Sequence, residues 1–513
     1  MAATLTPAAI AQQRHGESWL ITIGAHPFWP QFEQFHAQFK ALQPRDILLV
    51  DSDPVRFLAA FFAALQHPCR IWLANPQWGT QEWHQVTAQC QPDIVIGTVP
   101  PTIRVRNRAQ GAECEEMGLA RGQDTRTKQT NSPAPQPPNH PTPSIHIPTG
   151  GSSGNIRFAV HTWETLLASV QGFCQHFDCA TVNAYCILPL HHVSGLMQAM
   201  RCWLTGGQLT VQPFQELLQP GAISQTFQQE RIAASSGSFL SLVPTQLQRS
   251  LQANWDTVPW LRQFTAILLG GAPLWPSLRQ TARDLRLPLA PTYGLTETAA
   301  QVATLLPSEF LAGQTGSGRA LPHAQITIQD GAGQALPPGV VGQIAIKAKS
   351  LARASGLTPI APPLMTNDLG CLDQAGFLHV MGRETSLIIT GGEKVQPEEV
   401  EAAILATGLV QDVAVVGLPD AYWGERVVAI AAGAVKNDHD TLAQTLRQRL
   451  KFQLSPYKLP KQWCFWPTLP RNAQGKLNRS LLLQQVAAAL GVPSPAPTRL
   501  ARRSGAGADG SSY

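Results

Sequence analysis

The chain has 513 residues, 44% of them hydrophobic, so it is a globular protein long enough for two or more hydrophobic cores. A net charge of +5 is too small and diffuse for nucleic-acid binding. Nine scattered cysteines without a C-x-x-C pair argue against a disulfide scaffold and a zinc site.

The sequence lacks the patterns of an N-terminal export signal and of a membrane-spanning segment. The N-terminus lacks a continuous apolar segment after a basic start, and no apolar run in the sequence is long enough to span a bilayer. We therefore predict a cytoplasmic protein with no membrane span.

The first part of the chain, residues 1–103, alternates strand-like and helix-like segments. Residues 46–53 and 93–99 read as buried strands, and residues 56–65 read as a helix. Charge, Gln, Asn and Pro then replace the apolar periodicity over residues 104–143. This composition predicts a disordered insertion or a long surface loop.

A glycine-rich stretch, SIHIPTGGSSGNIR, follows at residues 144–157. The next segment, 163–177, has helical periodicity with Thr162 as its N-cap, so the predicted order is strand, glycine-rich loop, helix. The spacing does not match a Walker A loop, and the adjacent Gly150 and Gly151 exclude the dinucleotide fingerprint. By itself the stretch is either an anion cradle or an ordinary Gly/Ser turn.

Alternating β and α segments continue beyond this stretch. Strand-like pieces lie within residues 183–190, 207–214, 263–273 and 325–333. Such alternation favours layers of helices on sheets, with binding residues at the ends of strands.

A second unit begins near residue 382. Pro397 is placed to occupy the first position of a helix, residues 412–419 and 426–435 read as strands, and Asp440 is placed to cap a helix over 440–454. We predict an α/β protein, with a large N-terminal domain over 1–381, a small C-terminal α+β domain over 382–490 and a disordered tail over 491–513.

Seven motifs occur in a fixed order. They are PTGGSSGNIR (148–157), LLGGAP (268–273), PTYGLTET (291–298), TNDLG (366–370), GRETSLIITGGEKVQPEEVE (382–401), GLPDAYWGERV (417–427) and PRNAQGKLNR (470–479). Together they resemble the motifs of the adenylate-forming enzymes, which include acyl-CoA synthetases, peptide-synthetase adenylation domains and luciferases. The resemblance implies a multi-layer N-terminal α/β domain with a mobile C-terminal lid. It also implies a reaction in which a carboxylate attacks ATP to give an acyl-adenylate and pyrophosphate, and the thiol of CoA then displaces AMP.

The resemblance implies a nucleotide site for ATP and Mg²⁺. Residues implied to bind ATP are Thr149, Gly150, Gly151, Ser152, Ser153 and Gly154 at the phosphates, Gly271, Ala272, Pro273, Tyr293 and Gly294 at adenine, and Asp368 and Arg383 at ribose or phosphate. Catalytic roles are implied for Arg157, Thr296, Glu297 and Lys476, with Glu297 also as the Mg²⁺ ligand. A CoA-facing surface is implied for Gly391, Gly392 and Lys394. Several of these assignments have a purely structural alternative. The glycine-rich loop could be a flexible turn, and Thr296 with Glu297 could be a helix cap. Tyr293 could be a structural tyrosine, Asp368 a solvated aspartate and Lys476 a surface lysine.

Several positions depart from the family pattern. Ile156 replaces the usual proline and Arg157 the usual lysine, which keeps the charge but changes its geometry. Asn367 replaces a glycine, and the hinge aspartate is absent because Thr385 and Ser386 stand in its place.

The segments at 188–196, 241–249 and 293–310 are most similar to the o-succinylbenzoate–CoA ligases of menaquinone and phylloquinone biosynthesis. A dicarboxylate with a keto group needs polar partners, and Ser194 and Gln301 are the candidates, although Gln301 could simply cap or pack. We interpret His192 as a wall or gate of the pocket. A metal site at the two adjacent histidines is disfavoured because neighbours on a strand point to opposite faces.

Other functions stay open at this point. One is another aryl- or fatty acyl-CoA ligase, and a second is a luciferase. A third is a non-catalytic nucleotide-binding regulator, which the presence of Glu297, Asp368 and Lys476 disfavours. A peptide-synthetase domain is disfavoured because no carrier domain follows Arg479. The expected partners are small molecules (an acid, ATP and CoA), and a homo-oligomer is compatible with the sequence.

Overall fold

A computed structural model describes most of the chain. The described residues are 5–22, 27–101, 103, 142–150, 156–217, 219, 237–253, 257–353, 362–383, 386–391, 393–420, 422–433, 439–471 and 477–492. The predicted insertion, apart from residues 142–143, and the predicted tail beyond residue 492 lie outside them.

Helices and strands alternate along the described chain. The α-helices are α1 (Pro7–Arg14), α2 (Phe28–Leu42), α3 (Pro54–Ala64), α4 (Thr80–Gln89), α5 (Trp163–Phe177), α6 (Val193–Thr205), α7 (Phe214–Leu217), α8 (Pro244–Ala253), α9 (Thr257–Leu261), α10 (Pro276–Asp284), α11 (Pro307–Leu311), α12 (Pro397–Ala406), α13 (His439–Leu450) and α14 (Arg479–Leu490). The strands are β1 (Leu20–Thr22), β2 (Asp46–Val50), β3 (Arg70–Leu73), β4 (Ile94–Gly97), β5 (Ser144–Gly150), β6 (Ile156–Thr162), β7 (Asn183–Cys186), β8 (Leu209–Val211), β9 (Ser238–Leu242), β10 (Ala266–Leu269), β11 (Leu289–Leu295), β12 (Ala300–Thr304), β13 (Arg319–Ala320), β14 (Ala324–Gln329), β15 (Gly342–Ala348), β16 (Leu364–Leu372), β17 (Leu378–Arg383), β18 (Ile388–Thr390), β19 (Glu393–Val395), β20 (Asp412–Asp420), β21 (Gly424–Ala432) and β22 (Gln462–Trp466). Short 3₁₀ turns cover Thr296–Thr298 and Pro456–Lys458.

Two sheets form the larger part of the fold. Sheet A has the strand order β1-β8-β7-β9-β10-β11-β12-β13 and is parallel from β1 to β11. Its last two strands pair antiparallel. Sheet B has the order β4-β2-β3-β5-β6 and is parallel except for the β5–β6 hairpin. This topology has the helix-covered parallel strands that the alternating sequence predicts.

Helices α3, α5 and α6 lie between the two sheets. Helix α3 contacts β2 of sheet B and β1 of sheet A, and α5 contacts β6 and β12. Because α3 is covered on both sides, its sequence is apolar all round, and nine of its side chains are buried. It starts with Pro54 after an Asp53 cap whose Oδ1 accepts the N–H of Val55 at 2.8 Å.

The cap of α5 differs in detail from its prediction. Thr162 occupies the N-cap position, but its own Oγ1 has no hydrogen-bond partner among the described residues. Instead, the N–H of Thr162 donates to Oγ1 of Thr165 at 3.0 Å. The capping hydrogen bond therefore involves the side chain of Thr165 in the first turn, and not the side chain of Thr162.

The predicted order of strand, glycine-rich loop and helix is wrong. Strand β6 comes between the loop and α5, so the loop closes the β5–β6 hairpin. The physical reason is the alternation in IRFAVHT, whose residues pair one for one with SIHIPTG of β5.

The C-terminal part contains two smaller sheets. Sheet C is the antiparallel meander β14-β15-β16-β17, and sheet D has the order β19-β18-β21-β20 with β22 parallel to β21. Pro397 stands at the start of α12, as expected, with Val400 and Ile404 buried. Asp440 is not the cap of α13, because that helix includes His439; the carboxylate lies in the first turn, where it favours the helix dipole. No helix in the described ranges is long and apolar enough to cross a membrane.

Four buried histidines make stability sensitive to mild acid. Burial lowers the pKa of His146 to about 3 and the pKa values of His161, His191 and His323 to about 4, from an ordinary 6.5. The folded state therefore keeps these rings neutral while the unfolded chain takes up protons below pH 6.5. Their stabilising contribution is complete above pH 6.5 and is lost as the pH falls towards 4. We expect each ring to lower the free energy of unfolding by about 1 kcal/mol between pH 6.5 and 5.5.

The measurement is the free energy of unfolding in urea from pH 7.5 to 5.5, where ordinary carboxylates do not yet titrate. A His161→Gln variant should show about three quarters of the wild-type change. An unchanged free energy over this interval would contradict the expectation.

Candidate active site

The two motifs of the predicted adenine site, at residues 268–273 and 291–298, meet at the carboxyl ends of two neighbouring strands. Gly271, Ala272 and Pro273 are exposed in the loop after β10, and β11 carries Tyr293 and Gly294. They are adjacent because β10 and β11 are parallel, with Leu269 opposite Pro291. Such carboxyl ends are where ligands bind in parallel sheets.

Gly294 cannot carry a side chain in this arrangement. A Cβ built there would lie 2.1 Å from the carbonyl oxygen of Ala300 and 2.5 Å from the Cα of Gln301. The register of β11 and β12 shifts at this point. The glycine thus lets the two strands approach closely beside the Thr296–Thr298 turn.

Tyr293, Asp368 and Arg383 form one hydrogen-bonded group. The Tyr293 hydroxyl donates to Asp368 Oδ2 at 2.7 Å, and Arg383 Nε donates to Oδ1 at 3.0 Å. Burial, together with the nearby Asp368 carboxylate, raises the pKa of the Tyr293 phenol. Asp368 and Arg383 are opposite each other on β16 and β17. The carboxylate keeps unused lone pairs that suit a vicinal diol such as ribose.

Thr296 and Glu297 follow β11 directly and are both half-buried. The Glu297 carboxylate makes no hydrogen bond or ion pair with any other described residue, so it is free to take a cation. One carboxylate together with phosphate oxygens is the ligand set that Mg²⁺ prefers. The donor set of this turn therefore fits a magnesium–nucleotide complex.

The C-terminal end of the glycine-rich loop is held by helix α4. Thr149 and Arg157 face each other across the β5–β6 hairpin, and Arg157 is exposed. Gln85 Oε1 accepts the N–H of Ile156 at 2.7 Å, and Gln89 Nε2 donates to its carbonyl at 3.0 Å. Ile156, which stands where the family has proline, is buried. These two contacts could not be predicted from the sequence, because the glutamines lie far upstream of the loop.

Part of the predicted site cannot be placed. The loop residues Gly151, Ser152, Ser153 and Gly154, together with Gly392 and Lys476, lie outside the described residues, as do the side chain of Lys394 and the residue Thr385. On the predicted CoA face, Gly391 is exposed with φ +59° and donates its N–H to the carbonyl of Trp423 at 2.7 Å.

The prediction that the two adjacent histidines lie on a strand is wrong. His191 and His192 lie in a turn after β7 and not on a strand, and their rings are 4.2 Å apart. Burial lowers the pKa of His191 to about 4. Within the described ranges, no group of three or more His, Cys, Asp or Glu side chains is placed to hold a metal ion. His192 is the N-cap residue of α6, which also carries Ser194.

A buried polar group on α6 was missed by the sequence reasoning. Ser194, Gln198 and Arg201 share one face of α6 at helical spacing, and Gln301 lies opposite on β12. Arg201 Nη2 donates to Gln301 Oε1 at 2.7 Å, and its guanidinium lies 4.1 Å from the Phe173 ring centre. The available signal was an arginine two turns after Ser194 in an otherwise apolar helix.

Several buried atoms of this polar group lack hydrogen-bond partners in the described ranges. Gln198 Oε1, Arg201 Nε and Gln301 Nε2 are buried and have no hydrogen-bond partner among the described residues. No carboxylate in the described part of the chain pairs with Arg201, and burial lowers its pKa to about 10, so it is still charged at neutral pH. Buried polar atoms are rarely left in this state. The two unpartnered donors, Arg201 Nε and Gln301 Nε2, therefore fit an anionic ligand that accepts hydrogen bonds.

Comparison with family models identifies the class of this site. The AMP-binding enzyme model matches residues 39–354, and the model of the AMP-binding enzyme C-terminal domain matches residues 399–476. The first match covers most of the chain and contains the first three motifs, at residues 148–157, 268–273 and 291–298. The chain belongs to the AMP-binding enzyme family. The resemblance to adenylate-forming enzymes is confirmed.

Similar curated members of the family share one name. A 2-succinylbenzoate–CoA ligase of Geobacillus sp. (strain WCH70) is 31% identical over 346 residues, which are 66% of this chain and 68% of the relative. The ligase of the same name from Enterococcus faecalis is 30% identical over 338 residues, 64% of this chain and 67% of the relative.

Solved structures confirm the predicted fold class of this AMP-binding enzyme. The o-succinylbenzoate CoA synthetase of Bacillus subtilis, in complex with its acyl-adenylate intermediate, aligns with a TM-score of 0.73 at 23% identity. The alignment covers 93% of this chain and 97% of that protein. ATP-bound MatB of Rhodopseudomonas palustris aligns with a TM-score of 0.71 at 20% identity, over 95% of this chain and all of that protein.

Proposed function

We propose that this AMP-binding enzyme is a 2-succinylbenzoate–CoA ligase. It converts 2-succinylbenzoate, ATP and CoA to 2-succinylbenzoyl-CoA, AMP and pyrophosphate through an acyl-adenylate, and so serves menaquinone or phylloquinone synthesis. Mg²⁺ accompanies ATP and is bound by Glu297.

The geometry at the ends of β10 and β11 supports the nucleotide half of the proposal. Asp368, whose carboxylate is held by Tyr293 and Arg383, would accept the ribose hydroxyls, and Thr296, in the turn after β11, would contact phosphate. When bound, Mg²⁺ would neutralise phosphate charge. The chain's own residues orient the two anionic reactants and exclude water, which supplies much of the catalysis in such reactions.

The observation that carries the acid assignment is the buried Arg201. A dicarboxylate uses one carboxylate in the reaction and must have the other bound unreacted. The guanidinium would pair with that second carboxylate, and the unpartnered Gln301 Nε2 would donate to it. A fatty acid or benzoate has no second anion, and would leave the buried charge of Arg201 uncompensated.

The C-terminal unit is proposed to act as a lid. With the large domain over 1–381 and the lid over 382–490, Lys476 would serve adenylation, and the surface around Gly391 would face CoA after a hinge rotation.

A panel of acids tests the proposal. AMP release is measured with ATP, Mg²⁺ and CoA for 2-succinylbenzoate, benzoate and octanoate. We expect the catalytic efficiency for 2-succinylbenzoate to exceed the others at least about a hundredfold, as the loss of one buried ion pair implies. Good turnover of benzoate or octanoate without turnover of 2-succinylbenzoate would contradict the acid assignment.

A further inference from the structure

The backbone of residues 296–300 adopts an unfavourable conformation that requires stabilising contacts from other parts of the chain. It begins with the Thr296–Thr298 turn and continues with Ala299 at φ +51° and Ala300 at φ +80°. Both alanines thus adopt the left-handed region, which costs a residue with a Cβ about 1 kcal/mol or more. Such a conformation persists only where surrounding contacts enforce it.

Four consecutive carbonyl groups of this segment each accept a hydrogen bond from a distant part of the chain. The pairs are Thr296 with His161 Nε2 at 2.8 Å, Glu297 with the N–H of Ala352 at 2.7 Å, Thr298 with Ser350 Oγ at 2.8 Å, and Ala299 with Ser169 Oγ at 2.6 Å. The donors come from β6, from α5 and from the chain after β15. The backbone that carries the Thr296 and Glu297 side chains is therefore hydrogen-bonded to other parts of the chain at each residue from 296 to 299.

His161 is the donor nearest to the phosphate loop. It lies on β6, the strand that starts directly after the loop with Ile156 and Arg157. Its ring is fully buried, and burial keeps it neutral by lowering its pKa to about 4. Because a carbonyl oxygen only accepts, Nε2 carries the single ring proton. Nδ1 lies 3.1 Å from the Thr165 hydroxyl, whose one proton is shared between Nδ1 and the Thr162 carbonyl at 2.9 Å.

We propose that His161 is a positioning residue for the first half-reaction, because its bond to the Thr296 carbonyl sets where the Thr296 and Glu297 side chains lie after β11. This inference rests on the proposed function, which makes Thr296 and Glu297 the contacts to phosphate and Mg²⁺. It concerns acyl-adenylate formation only. Attack of CoA on a preformed acyl-adenylate involves neither the β- and γ-phosphates nor their metal.

The test separates the two half-reactions in His161 variants. ATP–pyrophosphate exchange measures adenylate formation, and thioester formation is measured from chemically synthesised acyl-adenylate and CoA. For His161→Met, which lacks the N–H, we expect exchange to fall about tenfold to a hundredfold while thioester formation stays within about twofold. His161→Gln, whose side-chain N–H reaches the same place, should retain exchange within about threefold.

Two further variants guard against a general folding defect. Ser350→Ala removes the donor to the Thr298 carbonyl and should lower exchange selectively in the same way. His146→Met alters a buried histidine of β5 whose ring stacks on Trp72 and whose Nε2 bonds to Ser144 Oγ instead of to segment 296–300. It should leave the ratio of the two half-reactions unchanged.

The outcomes are distinct. If His161→Met and Ser350→Ala each lost both half-reactions equally, or each lost neither half-reaction, the positioning role would be overturned. A wild-type chain that exchanges pyrophosphate with none of the acids would instead overturn the proposed function, irrespective of His161.

Discussion

Replacement of Glu297 by glutamine is expected to slow acyl-adenylate formation about a hundredfold and to raise the Mg²⁺ concentration needed for half-maximal rate. Glu297 is half-buried after β11, and its carboxylate makes no hydrogen bond or ion pair with another described residue. Glutamine keeps its size and loses its charge, so the effect isolates the interaction with the metal. ATP–pyrophosphate exchange over a range of Mg²⁺ concentrations is the measurement.

Glu309 provides a matched control for this experiment. It lies on the neighbouring α11, pairs with Arg319 and accepts the N–H of Leu306 at 3.0 Å. Glu309→Gln should alter stability slightly and leave the Mg²⁺ dependence as in the wild type. If Glu297→Gln exchanged pyrophosphate at the wild-type rate at every Mg²⁺ concentration, Glu297 would not be the metal ligand.

Replacement of Arg201 by methionine is expected to separate activity from stability. The catalytic efficiency for 2-succinylbenzoate should fall about a hundredfold to a thousandfold, because the second carboxylate loses its buried counter-ion. The free energy of unfolding of the ligand-free protein should stay the same or rise by about 1–3 kcal/mol, since a buried charge without a counter-ion is costly. Steady-state kinetics and urea unfolding measure the two effects.

Arg14 is the matched control for Arg201. It is equally buried, but it pairs with Glu17 at 2.7 Å and donates to the carbonyls of Cys202 and Gly207. Arg14→Met should therefore lower the free energy of unfolding, the opposite sign to Arg201→Met, without changing which acid is preferred.

Two substrate analogues, each lacking one carboxylate, complete the test of Arg201. They are 4-oxo-4-phenylbutanoate and 2-butanoylbenzoate. The analogue that keeps the reacting carboxylate should be turned over weakly by the wild type and no worse by Arg201→Met. If Arg201→Met preferred 2-succinylbenzoate over this analogue as strongly as the wild type does, Arg201 would not be the partner of the second carboxylate.

Local sequence was sufficient for much of the fold. The strand at Asp46–Val50, helices α3 and α5 and the Pro397 start of α12 were predicted because their periodicity and caps are local properties. Strand β6 was missed because the glycines before it suggested a loop running directly into a helix. Its pairing with β5 becomes visible only when the hairpin is formed.

The order of the motifs along the chain determined the family and the class of chemistry, because each motif brings its own small set of side chains and backbone shapes. The tertiary structure decided how those side chains are held. Tyr293 and Arg383 meet at Asp368, and His161 reaches the Thr296 carbonyl, across sequence separations of 75, 15 and 135 residues. It also decided that Arg201 is a buried cation without an anionic partner among the described residues, since burial and pairing arise only when α6 packs against α5 and β12.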